Sequence, residues 1–584
     1  MQILRLSRFF RAAQSSRIFT ISGWVALILL LFWIYGDRVL VAEPWQWADD
    51  GLYLRQSECF VRWLHGAAGP WLGPYDAVIL GKAPLFAIWL GFLHIMHIPL
   101  RLGEFSLLLL LPLLFRWAVQ PMLKLSGWRW ALVMIILIGM PLLPQEQRLL
   151  RFTLQAGLGS ACLISALGLI LRVRQPAAKQ AHWAMFTGLF YALCYLNREE
   201  AIWLLPTVGC ALIASFAGAW WERKWQPAAA SAACLLLASA LPVTVVSALN
   251  FQGYGVMLTT MRRAPMFTRA YQRMTSLEPQ TREHYVPIRS ATRLRAYTLS
   301  PTFARLQSYL EGPEGDSMAK NPGHLSLYGR SPGTREFFVS NFEFALREAA
   351  FQSGARTAPT AEKMFGQIER ELRSAISEGK ITAGNQGPPL MAAPIPGDSD
   401  RILEQALGSL RNLYMLENIV YPISGVSSGE PRDLQRVSVL TNMSVAPTKE
   451  SHSAKVSEIG GIARRTIFSL ITDLEAGAYA VGTLIVLMFA IATISQHLRD
   501  PMRLQYAFSG LVLCGSVAAF SLTMAVVDVF CCPIIYSGYN MLGFSPLSVL
   551  GAFGLVLLMA WLRMDFARGT GASVDLETTR GPTG

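Results

Sequence analysis

Two adjacent carboxylates, Asp49 and Asp50, stand in the run Trp47-Ala48-Asp49-Asp50-Gly51-Leu52-Tyr53-Leu54, directly after the first long apolar segment. Ionised side chains so near hydrocarbon are costly to place, which makes an acidic pair there a candidate site. A carboxylate in that position can remove a proton or hold a divalent ion. The plainer alternative is a helix exit whose charges mark the water interface. A second charged group, Arg198-Glu199-Glu200, sits between two apolar runs, and a third, Arg262-Arg263, follows another. Which readings apply depends on the elements that carry these residues and on the side of the membrane they face.

The chain has 584 residues, 52% hydrophobic and only 15% charged, with a mean hydropathy of +0.36. A soluble protein of this length could not hide that much apolar surface, so the composition indicates a polytopic membrane protein. A crossing helix needs about 20 apolar residues. Ten spans are expected, near 19–41, 104–123, 128–144, 153–171, 182–197, 201–220, 228–249, 476–495, 504–527 and 541–562. Basic loops stay in the cytoplasm, and Arg5, Arg8, Arg11 and Arg17 place the N-terminus there. The later basic loops alternate consistently only if 84–98, with His94 and His97, lies on or dips into the outer face.

Two segments then face outward: the loop 42–103, with the acidic pair, and the stretch 250–475. The resulting organisation is a membrane module 1–249, an outer soluble domain 250–475, C-terminal membrane helices 476–562 and a cytoplasmic tail 563–584. Helical runs are expected at 334–353, 358–379 and 401–419, and loops at 312–333 and 384–400 from their Pro and Gly. The net charge of +13 reflects cytoplasmic loop ends and anionic-lipid contact, not nucleic acid. Neither the eight cysteines nor the eight histidines show metal-ligand spacing, and a bridge from Cys59 to Cys531 or Cys532 is left open.

From Asp49 to Pro84 the order of features resembles the first outer loop of the GT-C superfamily of polyprenyl-phosphate-sugar-dependent glycosyltransferases, which include the aminoarabinose transferases and protein O-mannosyltransferases. The features are Asp49-Asp50, Tyr53, an amphipathic helix at 52–65, Gly69-Pro70-Trp71, and Gly81-Lys82-Ala83-Pro84-Leu85. Leu196-Asn197-Arg198-Glu199-Glu200-Ala201 is similar to the family's Thr-Arg-Pro-Glu-Gly turn. The likeness covers roughly residues 17–250, with Ala83 in place of the family's second proline and Arg-Glu-Glu-Ala in place of Arg-Pro-Glu-Gly.

The resemblance implies a GT-C-like module of about seven spans, to which hydropathy and loop charge add an outward-facing helical domain and about three further spans. It also implies an inverting transfer of sugar from a polyprenyl phosphate to a glycan, lipid or protein acceptor. The reaction would run on the outer face, at a bacterial inner membrane facing the periplasm. Asp49 or Asp50 would be the general base, or the ligand of a divalent cation such as Mg or Mn. Lys82 and Arg198 would meet the donor phosphate, with Tyr53, Glu146, Arg151, Glu199 and Glu200 in support, while Arg262, just past the seventh span, would either meet that phosphate too or anchor the membrane interface. The outer domain would position the acceptor, and Tyr271, Tyr285, Tyr297 and Tyr309 are candidates to stack on sugar rings, or core residues. The competing class is a non-catalytic scaffold, transporter or assembly subunit for cell-envelope polysaccharide.

Overall fold

The computed structural model describes residues 40–44, 49–125, 127–138, 148–320, 335–416, 427–446, 458–495, 500–534 and 542–569, with single positions at 25, 28–30 and 32. The expected first span and basic N-terminus, Glu146, and the tail after residue 569 thus fall largely or wholly outside the described residues.

Among the described residues, seven helices are long and apolar enough to cross a membrane: Leu100–Val119, Phe152–Ile170, Glu199–Glu222, Gln226–Tyr254, Thr466–Ser495, Pro501–Phe530 and Phe544–Arg563. Helices satisfy their own backbone polar groups, as hydrocarbon requires, and the chain is a polytopic helical membrane protein. These seven coincide with seven of the ten expected spans. The span expected at 128–144 is described only as Gly127–Ile138, 12 residues and too short to cross by itself. The one expected at 182–197 lies in a 21-residue helix, Ala177–Asn197, whose first turns carry Lys179, Gln180 and His182 and lower its apolar character. The 84–98 segment forms Leu85–Ile95, whose 11 residues cannot span a bilayer, in line with a surface position.

Close packing joins these helices where small residues allow it. A Cβ built on Gly188 would lie 2.3 Å from the Leu235 carbonyl, so Ala177–Asn197 and Gln226–Tyr254 meet backbone to side at that point. Gln226–Tyr254 ends at Gly255, whose φ of +74° is the left-handed cap that glycine adopts without strain.

The region after Tyr254 is divided between two cores. Helices Pro265–Thr275, Val339–Gln352 and Ala358–Ser377 surround Phe267, Tyr271, Phe342 and Phe365, and this core also takes Trp71, Leu72 and Leu80 from the segment between Asp49–Leu64 and Leu85–Ile95. Helices Asp398–Met415 and Pro431–Thr441 instead send Leu413, Val437 and Leu440 into the core of the membrane helices. The expected helical runs at 334–353, 358–379 and 401–419 are therefore present. The expected loop at 312–333 begins with a short helix, Pro313–Ala319, because Gly312-Pro313 opens a helical turn as well as it ends one.

Because Gly188 has no room for a side chain, Gly188→Leu should force the two helices apart and lower the melting temperature in detergent, at a cost of about 1–3 kcal/mol. Gly209→Ala, whose added methyl meets nothing within 4 Å, should leave it unchanged. Equal melting temperatures for Gly188→Leu and the parent would show that this contact is not tight.

Candidate functional site

The acidic pair opens the helix Asp49–Leu64, where the positive end of the helix dipole favours it. Leu52, Tyr53, Leu54, Gln56 and Phe60 are buried along that helix and fix its rotation. The two carboxylates then have different fates. Asp50 is wholly enclosed; its Oδ1 accepts from Arg148 at 3.0 Å and its Oδ2 from the Glu43 amide at 3.1 Å. Arg148 also reaches Glu43 at 3.0 Å, and Val41 pairs with Arg148 through the main chain. Asp49 keeps 31% of its side chain open and pairs with Lys82 at 3.3 Å.

Lys82 is delivered by a tightly tied loop. Asp76 accepts from the amides of Val78 and Ile79 at 2.9 and 2.7 Å and bonds Arg55 at 2.7 Å. Gln56 donates to the Ile79 carbonyl at 2.6 Å. The Met261 amide donates to the Leu80 carbonyl at 2.8 Å, which brings Arg262 beside Lys82.

A third strand of the chain completes the wall. Arg151 donates to the Asn197 carbonyl at 2.5 Å, and Asn197 bonds back to the Arg151 carbonyl and to Gln155, fastening the turn 197–200 to the start of Phe152–Ile170. Arg198, 3% exposed, pairs with Glu200 at 3.2 Å and lies over the Phe152 ring. Arg151 lies over the Tyr53 ring at 5.9 Å. The sequence-derived candidates Asp49, Asp50, Tyr53, Lys82, Arg151, Arg198, Glu199, Glu200 and Arg262 are thus gathered in one region. Glu146 lies outside the described residues.

Sequence reasoning missed the contribution of the helix Val339–Gln352. Glu343 accepts from Arg262 at 2.7 Å and from Arg347 at 2.6 Å, so one buried carboxylate holds two guanidinium groups. The half-buried Phe344 ring faces Lys82, Arg262 and Arg347, at 5.8, 5.9 and 4.9 Å. Arg262, expected to meet the lipid phosphate or to anchor the interface, is paired with Glu343. The spacing of Glu343 and Arg347 was visible, but a Glu-Arg pair four apart on a helix ordinarily marks a solvated face. Tyr271 and Tyr297 are buried core residues, unavailable to a sugar. Among the described residues no disulfide joins the cysteines; Cys59 packs against Gly73 and accepts from Arg62.

These surroundings set the charges. Burial pushes the Asp49 carboxyl up, but Lys82, Arg151 and Arg198 outweigh it and hold Asp49 at about 2. Burial raises Asp50 to about 6 against the pull of Arg148. Lys82 is pushed below the ordinary lysine value, because enclosure beside Arg262 and Arg151 costs it more than Asp49 returns. Among the described residues no three His, Cys, Asp or Glu side chains converge to hold a metal. Asp49 and Asp50 are each paired with a cationic side chain, Lys82 and Arg148.

No protein-family model matches the chain, and no curated protein matches it. Among solved structures, the crystal structure of ArnT from Cupriavidus metallidurans in the apo state aligns over 92% of this chain and 78% of that one, with 12% identity and a TM-score of 0.27. A likeness that weak supports no assignment of fold or activity.

Asp50 supplies a test of the geometry. Its folded value lies above the ordinary 3.8, so its contribution to stability is full below 3.8 and is lost as pH rises through about 6. On acidification from pH 7 to 5 the parent should therefore gain stability relative to Asp50→Asn, seen as diverging melting temperatures. Parallel curves across that range would show that Asp50 is not the buried, proton-holding member of the pair.

Proposed function

We propose that the protein is a membrane glycosyltransferase of GT-C type, moving a sugar from a polyprenyl phosphate to an acceptor on the outer face of the membrane. The observation that carries this reading is the recessed Asp49–Lys82 pair at 3.3 Å, bordered by Arg151 and Arg198. Such a constellation offers what glycosyl transfer from a lipid phosphate needs: a carboxylate to take the acceptor's proton and fixed cations for the departing phosphate.

In the reaction, an acceptor hydroxyl or amine attacks the anomeric carbon from the face opposite the phosphate. The bond from that carbon to the phosphate oxygen breaks, its electron pair leaves with the phosphate, and the acceptor's proton passes to Asp49. The stereochemistry at the anomeric carbon is inverted. What favours Asp49 over Asp50 as base is its 31% exposure, where Asp50 has none. With the site free of donor, Lys82 keeps Asp49 ionised. A donor phosphate competes for that same ammonium, and as Lys82 turns toward the phosphate Asp49 loses its nearest counter-charge. Its proton affinity then rises when the proton must be received. Asp50, locked to Arg148 and the Glu43 amide, holds the helix start in place.

The direct test is transfer by the purified protein in lipid vesicles, supplied with polyprenyl-phosphate-linked radiolabelled sugars and an extract of envelope glycans and lipids. Asp49→Asn should fold and reduce turnover by about 10²–10⁴-fold, the usual worth of a general base. Lys82→Gln should lose donor affinity, while Glu58→Gln, in the outward ion pair with Arg436, should stay active. Retention of full transfer by Asp49→Asn would remove the proposed base, and absence of transfer with every donor would favour a scaffold.

A further inference from the structure

Three buried groups close to the acidic pair have no hydrogen-bond partner among the described residues. Both carboxylate oxygens of Glu199 are enclosed and unbonded, as are the Tyr53 hydroxyl and the Nη1 of Arg347. Tyr53 is wholly buried and Arg347 is 5% exposed. Leaving a buried charge unpaired is among the most costly arrangements a protein adopts, since neither water nor a partner returns its lost solvation.

These groups share one field. Glu199 acts electrostatically on Tyr53 and on both Arg262 and Arg347, while Tyr53 also feels Asp49, Arg151 and Arg198. Yet no ion pair joins Glu199 to Arg347 among the described residues. An acceptor and a donor, each lacking a partner, therefore sit within reach of the same charges without closing on one another. The Arg347 guanidinium is also aimed at a specific place. Its Nη1 and Nη2 lie 3.1 and 3.2 Å from where a Cβ on Gly81 would stand, so it crosses over the residue just before Lys82. Glu343 holds its Nη2 at 2.6 Å, which leaves Nη1 as the free donor.

A ligand satisfying both kinds of group must present hydrogen-bond acceptors of negative charge at one end and donors at the other. A sugar joined to a phosphate does so in one small unit: phosphate oxygens accept and ring hydroxyls donate. We propose that Arg347, together with Lys82, takes the phosphate oxygens of the donor, and that Glu199, together with the Tyr53 hydroxyl, takes hydroxyls of the sugar. This assignment rests on the glycosyltransferase reading above and gives the donor's head a direction. The phosphate faces the outer-domain helix Val339–Gln352 and the sugar faces the turn after Asn197. It also gives Glu199 a task distinct from that of its neighbour Glu200, which is already occupied by Arg198.

The two halves separate in a binding experiment on the full-length protein in nanodiscs, titrated with undecaprenyl phosphate and with its hexosyl and pentosyl forms. The parent should bind the bare lipid phosphate and bind at least one sugar-bearing form more tightly. Arg347→Gln should weaken bare undecaprenyl phosphate by about tenfold, the worth of one charge-assisted hydrogen bond, and Arg347→Lys should recover part of that loss. Glu199→Gln, which removes a negative charge from the field around Arg347, should not weaken bare-lipid affinity and should erase the extra affinity for the sugar-bearing form. If Arg347→Gln binds the bare lipid as the parent does, the phosphate half is wrong. If Glu199→Gln weakens both ligands equally or neither, or if no sugar form outdoes the bare lipid, the sugar half is wrong. Failure of the parent to bind undecaprenyl phosphate at all would instead remove the glycosyltransferase reading on which the assignment rests.

Discussion

The contact between Asp49 and Lys82 is the constraint from which the rest of the recess follows. A lysine so nearly enclosed keeps its charge only with a carboxylate beside it, and the loop that carries it must be held still to meet that carboxylate. Asp76, Gln56 and Arg55 hold the loop from the side of the first outer helix, and the Met261 amide holds it from the far side of the chain. The second tether draws Arg262 into the same space, where one more cation would be intolerable alone. Glu343 answers it, and Arg347 shares that carboxylate. Asp50, meanwhile, is balanced by Arg148, although the neighbouring Asp49 charge still works against its ionisation.

Much of the architecture was legible in the sequence because hydropathy is a local property. Seven of the ten expected spans appear as apolar helices, and Leu85–Ile95 is as short as its sequence suggested. Ala177–Asn197 was harder to classify, since its polar first turns dilute an otherwise apolar helix. The gathering of Asp49, Lys82 and Arg198 was foreseen through the order of motifs, which preserves the relation between a loop and a turn far apart in the chain. Glu343, Phe344 and Arg347 were not, because nothing in Val339–Gln352 itself distinguishes a Glu-Arg pair that faces water from one that faces buried arginine and lysine. Long-range charge pairing leaves no local pattern. The same limit explains Tyr271 and Tyr297: an aromatic residue reads alike whether it lines a core or a binding surface, and here both fill the core.

The sharing of a hydrophobic core between the first outer loop and the helices after Tyr254 has a consequence for how the protein is made. Synthesis proceeds from the N-terminus, and early segments fold before later ones exist. The acidic pair and its lysine emerge first, when Trp71, Leu72 and Leu80 have as yet no Phe267, Phe342 or Phe365 to pack against. Until Val339–Gln352 has joined it, the loop lacks both its apolar cover and the arginine that crosses Gly81. An incomplete chain therefore displays a lysine and an aspartate without the wall that directs them. The recess is complete only with the helices after Tyr254, so a ribosome that stalls midway leaves in the membrane a fragment with its charges but without that enclosure.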